Sequence, residues 1–151
     1  MAQIAKMDAQ IEMKSTADNV YDIFKNKLHL LPKISPQEFK GVKLVEGEWG
    51  SLGSVRVWAN TASGSVGTAK ETIEAIDDQS KTITYKFSEG KMMKFYKNFK
   101  LTLKVLPSGQ GSLVKWTIDF EKQNESIPDP IKHMEFNINF TKNVDAYLLH
   151  N

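Results

Sequence analysis

LVEGEWGSLGSVRVW, residues 44–58, is the stretch whose reading decides the fold. Glycines at 47, 50 and 53 separate an apolar strand end from a second β-rich run. Glycine takes positive φ without a Cβ clash, so such a loop turns tightly and brings backbone N–H groups together. A phosphate cradle of the P-loop kind needs a lysine and a hydroxyl directly after the glycines, opening a helix. Here Ser54-Val55-Arg56-Val57-Trp58 continues as a strand. The loop therefore reads as a wide glycine-rich turn between two antiparallel strands, and no nucleotide site follows from it.

Upstream, Met7, Ala9, Ile11 and Met13 alternate with Asp8, Gln10, Glu12 and Lys14, the period of a half-buried strand. Ser15-Thr16-Ala17-Asp18 supplies a capping hydroxyl and an early acid, a helix start. Val20, Ile23, Phe24, Leu28 and Leu31 recur at helical spacing through a break near Asn26, predicting two short helices that end at Pro32 or Pro36. His29 has no second histidine or acidic partner at ligand spacing and reads as a surface or capping residue.

Downstream the pattern stays β. Ala69, Ile73 and Ala75 alternate with polar neighbours, Asp77-Asp78-Gln79-Ser80 turns the chain, and Ile83, Tyr85 and Phe87 face one way, so these two segments form a hairpin. Phe95, Phe99, Leu101, Leu103 and Val105 share one parity of a long strand from residue 91, with Lys97 as an exception that a bulge explains. Val114, Trp116, Ile118 and Phe120 give the last strand. Pro128-Asp129-Pro130 opens a long helix. Its apolar residues from Met134 to Leu148 cover well over half of the circumference, which suits a helix held inside a curved sheet.

The 151 residues make one domain, 1–151, of average hydrophobic (40%) and charged (25%) content. The absence of cysteine excludes disulfides, thiol chemistry and thiolate metal sites. The charged N-terminal stretch is neither a signal-peptide core nor a spanning helix, so the protein is expected to be soluble and cytoplasmic. Twenty basic and 18 acidic residues interleave to a net charge of +2, leaving no single-sign field for nucleic acid or anionic lipid. Every basic residue but Arg56 is a lysine. A guanidinium can fork a carboxylate or phosphate, whereas the bland alternative is an exposed strand arginine.

GVKLVEGEWGSLGSV at 41–55, AKETIEAID at 69–77, EGKMMKFYKNF at 89–99 and FTKNVDAYLL at 140–149 together resemble the major latex protein branch of the plant Bet v 1-like (pathogenesis-related class 10) superfamily. The resemblance runs from the first strand to the last helix. It implies an α+β helix-grip fold: a seven-stranded curved antiparallel sheet around a long C-terminal helix, two short helices after the first strand, and a large apolar cavity. That cavity would hold small hydrophobic or amphipathic ligands of hormone, sterol, flavonoid, fatty acid or alkaloid type.

The resemblance puts Arg56 and Trp58 inside, although spacing alone favours Val55 and Val57 as the buried parity. It also assigns Ile23, Leu31, Ile83, Tyr85, Phe87, Phe99, Leu101, Phe136 and Phe140 to the lining, with His133 near the entrance. Arg56 is then the expected anchor for a ligand carboxylate or phenolate. Buried without an anion it would be costly, so an inward Arg56 implies either an acidic ligand or an internal carboxylate such as Glu71 or Asp145.

The leading functional expectation is a non-catalytic carrier of small ligands in plant defence or metabolite handling, working as a monomer. The alternative is an enzyme on the same scaffold condensing or isomerising a secondary metabolite, through Tyr85 with Glu71 or through His29 or His133. Nucleic-acid binding is disfavoured by the balanced charge. A partner-binding module would instead show a closed, well-packed interior. No metal, catalytic residue or cofactor is called for.

Overall fold

The computed structural model describes residues 4–62 and 66–150. Its strands are β1 (Ala5–Met13), β2 (Phe39–Glu46), β3 (Val55–Asn60), β4 (Gly67–Asp77), β5 (Thr82–Gly90), β6 (Tyr96–Ser108) and β7 (Gly111–Lys122). The helices are α1 (Ala17–Asn26), α2 (Leu31–Ile34) and α3 (Ile131–Leu149), with single 3₁₀ turns at Leu28–Leu30 and Lys91–Lys94. The strands form one antiparallel sheet in the order β1-β7-β6-β5-β4-β3-β2. This is the helix-grip arrangement, with α3 packed against the sheet face that carries the core.

Local chemistry explains the joints. The Thr16 hydroxyl accepts from the Asn19 N–H at 3.4 Å and Asp18 lies in the first turn of α1, as the capping pattern predicts. Pro32 does not end a helix; it sits in the first turn of α2, where its missing N–H is harmless. Asp145, in the C-terminal half of α3, accepts from the backbone N–H groups of Lys14 (3.0 Å) and Ser15 (2.9 Å). These bonds tie α3 to the corner between β1 and α1. They also hold the Asp145 carboxyl below its usual range, against the opposing effect of its burial.

Two expected burial patterns shift at β-bulges, where one extra residue reverses the alternation. A register break between Ile73 and Ala75 turns Ala75 out to solvent and leaves Ala69, Glu71 and Ile73 on the inner face. A second break between Tyr96 and Asn98 falls at Lys97, as predicted, but it hands the inner position to Tyr96 and leaves Phe95 exposed. The expected long strand from residue 91 begins instead with the turn at Lys91–Lys94.

In β3 the valines are the outer set: Arg56, Trp58 and Asn60 are buried, while Val55, Val57 and Ala59 are half-buried. The parity suggested by spacing is thus reversed, and the inward placement implied by the resemblance holds. The buried face of α3 is narrower than its apolar residues suggested. Ile138, Tyr147 and Leu148 are only partly buried, while polar His133, Asn137 and Thr141 are buried beside Phe136, Phe140 and Val144.

Candidate functional site

The glycine loop meets the end of α1. Positive φ at Gly47 (75°) and Gly53 (82°) makes the turn. At Gly50 the loop passes close to α1: a Cβ there would stand 2.4 Å from Asn26 Oδ1, so that exposed side chain, whose amide donates to Asp22, would have to swing aside. The loop is fixed from inside by Arg56, which donates from Nη1 to the Trp49 carbonyl at 3.2 Å. His29 is exposed, with its ring 5.5 Å from the Trp49 ring.

Arg56 is fully buried, and Nη2 donates to Glu71 Oε1 at 2.7 Å. The same oxygen accepts from Trp58 Nε1 at 2.8 Å. The internal carboxylate that an inward arginine requires is therefore Glu71, with Asp145 occupied elsewhere. Of the two alternatives for an inward Arg56, an acidic ligand or an internal carboxylate, the second is present; Arg56 Nε is buried without a partner among the described residues. Its guanidinium lies 5.5 Å from the Tyr85 ring centroid, and the Tyr85 hydroxyl donates to the Phe24 carbonyl at 3.0 Å. Burial pushes the Tyr85 phenol far above its ordinary range, so it stays protonated.

Between α3 and the sheet, aromatic rings fill most of the interior. Phe39, the first residue of β2, packs its ring 4.9 Å from Trp58, 5.1 Å from Phe136 and 5.0 Å from Phe140. Phe24 and Trp116 close the other side, edge to face at 5.6 Å. The space left among these rings is a cavity of about 40 Å³, bordered also by Leu31, Tyr85, Phe87, Leu101 and Asn137. That is room for water or a small group, not for a whole ligand.

A larger chamber of about 620 Å³ lies toward the N-terminal end of α3. Met92, Tyr96, Phe99 and Ile127 give it apolar walls, and Lys91, Lys132, Asp129 and Glu135 give it charged ones. Asn60 and His133 border both spaces and form the partition. The His133 ring is 4.8 Å from Phe99, 5.8 Å from Phe136 and 6.1 Å from Phe87. Desolvation among these rings lowers its pKa to about 4, so it is neutral near neutral pH.

One turn further along α3 from His133, Asn137 is fully buried, and neither Nδ2 nor Oδ1 has a hydrogen-bond partner. A turn beyond that, the Thr141 hydroxyl accepts from Trp116 Nε1 at 2.9 Å and donates to the Asn137 carbonyl at 2.6 Å.

Of the expected lining residues, Leu31, Trp58, Tyr85, Phe87, Leu101, Phe136 and Phe140 border the inner cavity, Phe99 the chamber, and His133 both. Ile23, Ile83 and Arg56 are buried but border neither; the first two pack into the core and the third into its ion pair. Sequence reasoning missed Phe39, Asn60 and Asn137. Phe39 stands at a strand end, where alternation gives no signal. Asn137 was legible only as a polar residue four positions from a histidine and four from a threonine, a stripe that an apolar count passes over.

Among the described residues no group of three or more His, Cys, Asp or Glu side chains could hold a metal ion, and no helix is long and apolar enough to cross a membrane. The model of the pathogenesis-related protein Bet v 1 family matches residues 2–151. MLP-like protein 28 of Arabidopsis thaliana is 36% identical over 97% of this chain, which spans only 44% of that relative's length. The crystal structure of ginseng major latex-like protein 151 from Panax ginseng is 35% identical, superposes with a TM-score of 0.91, and covers 95% of this chain and 97% of its own. Norcoclaurine synthase from Thalictrum flavum, 15% identical with a TM-score of 0.83 over 99% of this chain and 89% of its own, shares the fold. Full-length family match, sequence identity and superposition agree with the sheet, the grip and the glycine loop: the chain belongs to the pathogenesis-related protein Bet v 1 family, in its major latex protein branch.

Proposed function

We propose that this protein binds and carries small, mainly apolar molecules with a polar end, with the cytoplasm as its compartment and the monomer as its working form. The observation that carries the reading is the chamber of about 620 Å³ with apolar walls, the size class of small-molecule sites. Apolar walls supply affinity in proportion to the surface they remove from water, roughly 25 cal/mol per Å² before the costs of association. The few polar groups at the partition orient what enters.

Catalysis is poorly supported by the same geometry. General acid–base work needs a titratable pair within reach of the reacting group. Glu71 is engaged by Arg56 and Trp58, and Tyr85 stays protonated and bonded to a backbone carbonyl. His29 is outside, beside Trp49.

The test is titration with the neutral dye Nile red, followed by competition with uncharged amphiphiles. Saturable dye fluorescence that the competitors reverse is the expected result. A dye that never enters would mean a sealed interior and would favour a protein-interaction module instead.

A further inference from the structure

We infer that Asn137 receives an uncharged hydroxyl end of the bound molecule, so that the inner cavity selects alcohols over carboxylates of the same length. The inference rests on the carrier reading and names the ligand class for that same site.

Asn137 is fully buried in the middle of α3, on the wall of the inner cavity, with both atoms of its amide unpartnered. Buried polar groups are almost always paired. Among the described residues Ser15 Oγ, Ser54 Oγ and Arg56 Nε also lack a partner, but of these side chains only Asn137, with an idle donor and an idle acceptor, borders the inner cavity. Its neighbours do not serve it. Trp116 donates to Thr141, Trp58 to Glu71, and Tyr85 to the Phe24 carbonyl.

The two cavities divide a ligand between them. About 40 Å³ admits a hydroxymethyl-sized group, while the chamber of about 620 Å³ takes the body. Asn60 and His133 stand where the two meet, and Asn137 lies one helical turn, roughly 6 Å along α3, beyond His133. A molecule lying in the chamber with its polar end inward reaches the amide past the imidazole.

Charge decides which polar end fits. The inner wall carries no lysine, its acid is Glu71, and the nearby Arg56 is already paired with that acid. His133 is neutral. A carboxylate would lose its hydration with no cation to replace it and would lie in the same cavity as Glu71. A hydroxyl carries no charge and can either accept from Asn137 Nδ2 or donate to Oδ1.

The experiment is Nile red displacement from the full chain by 1-decanol, decanoate at mildly alkaline pH, and decane, in the native protein and in Asn137→Leu. The native protein is expected to prefer the alcohol over both others by about tenfold or more. Asn137→Leu should lose that margin over decane while still binding dye and alkane. As a readout that needs no substitution, the Asn137 side-chain amide resonances of isotope-labelled native protein should move saturably with 1-decanol and not with decane. Dye binding without an alcohol preference, or amide resonances that stay fixed, overturns the assignment and leaves the carrier reading standing. Failure of the dye to bind at all overturns both.

Discussion

Arg56 and Glu71 are register partners across β3 and β4, and their side chains meet at 2.7 Å with exposures of 0% and 6%. The pair gives the inner face a polar knot without giving it a free charge. Nη1 of the same arginine holds the Trp49 carbonyl, so the knot also fixes the glycine loop against the side chains beneath it.

Removing one partner leaves the other charge buried alone. Arg56→Ala should therefore destabilise the fold by about 3–5 kcal/mol in urea denaturation. Arg56→Met combined with Glu71→Gln, which keeps an acceptor for Trp58, should recover most of that loss. Equal instability of the single and double variants would show that packing, not charge, sets the cost.

Phe39 touches Trp58, Phe136 and Phe140 and is the ring that keeps the inner cavity small. Phe39→Ala should cost about 3–5 kcal/mol, the transfer free energy of the ring plus the cavity left behind. The enlarged interior should bind Nile red more tightly than the native protein does. Denaturation midpoints and dye titrations on the same samples check both halves.

His133 gives a pH signature. Its folded pKa is about 4, while an unfolded imidazole titrates near ~6.5. Between those values the unfolded chain takes up a proton that the folded chain refuses, so stability falls as pH drops through this window and the loss levels off below about 4. The size is on the order of 3 kcal/mol. The depressed carboxyls of Asp22, Asp78 and Asp145 stabilise the fold at all pH values above the ordinary carboxylate pKa, and that stabilisation is lost only as pH falls from there through their lowered folded values, below the His133 window. His133→Phe should flatten the stability profile between about pH 4 and 6.5.

Ile127 is half-buried on the wall of the chamber. Ile127→Trp should fill part of that space, weakening Nile red by about tenfold or more while shifting stability by about 1 kcal/mol. Unchanged dye affinity would place the ligand elsewhere.

Alternation and helical spacing were enough for the strands, the hairpins and the three helices, because those periods arise from backbone geometry that every residue shares. They failed at Ala75 and Phe95, where a bulge inserts one residue and inverts the alternation on one side of it. They failed differently at β3. Valines look like core and arginine looks like surface, but a strand buried beside Glu71 can turn its arginine inward because a partner awaits it one strand away.

The sequence by itself determined the order of elements, the turn at residues 44–58, the absence of thiol chemistry and the family, since all of these are written in local pattern and composition. Only the tertiary structure decided that Arg56 is spent on Glu71, that aromatic rings shrink the inner cavity, and that Asn137 is left with nothing to bond. Pairing and burial are relations between residues far apart in the chain, and the energy of a polar group depends on which partner the fold brings to it.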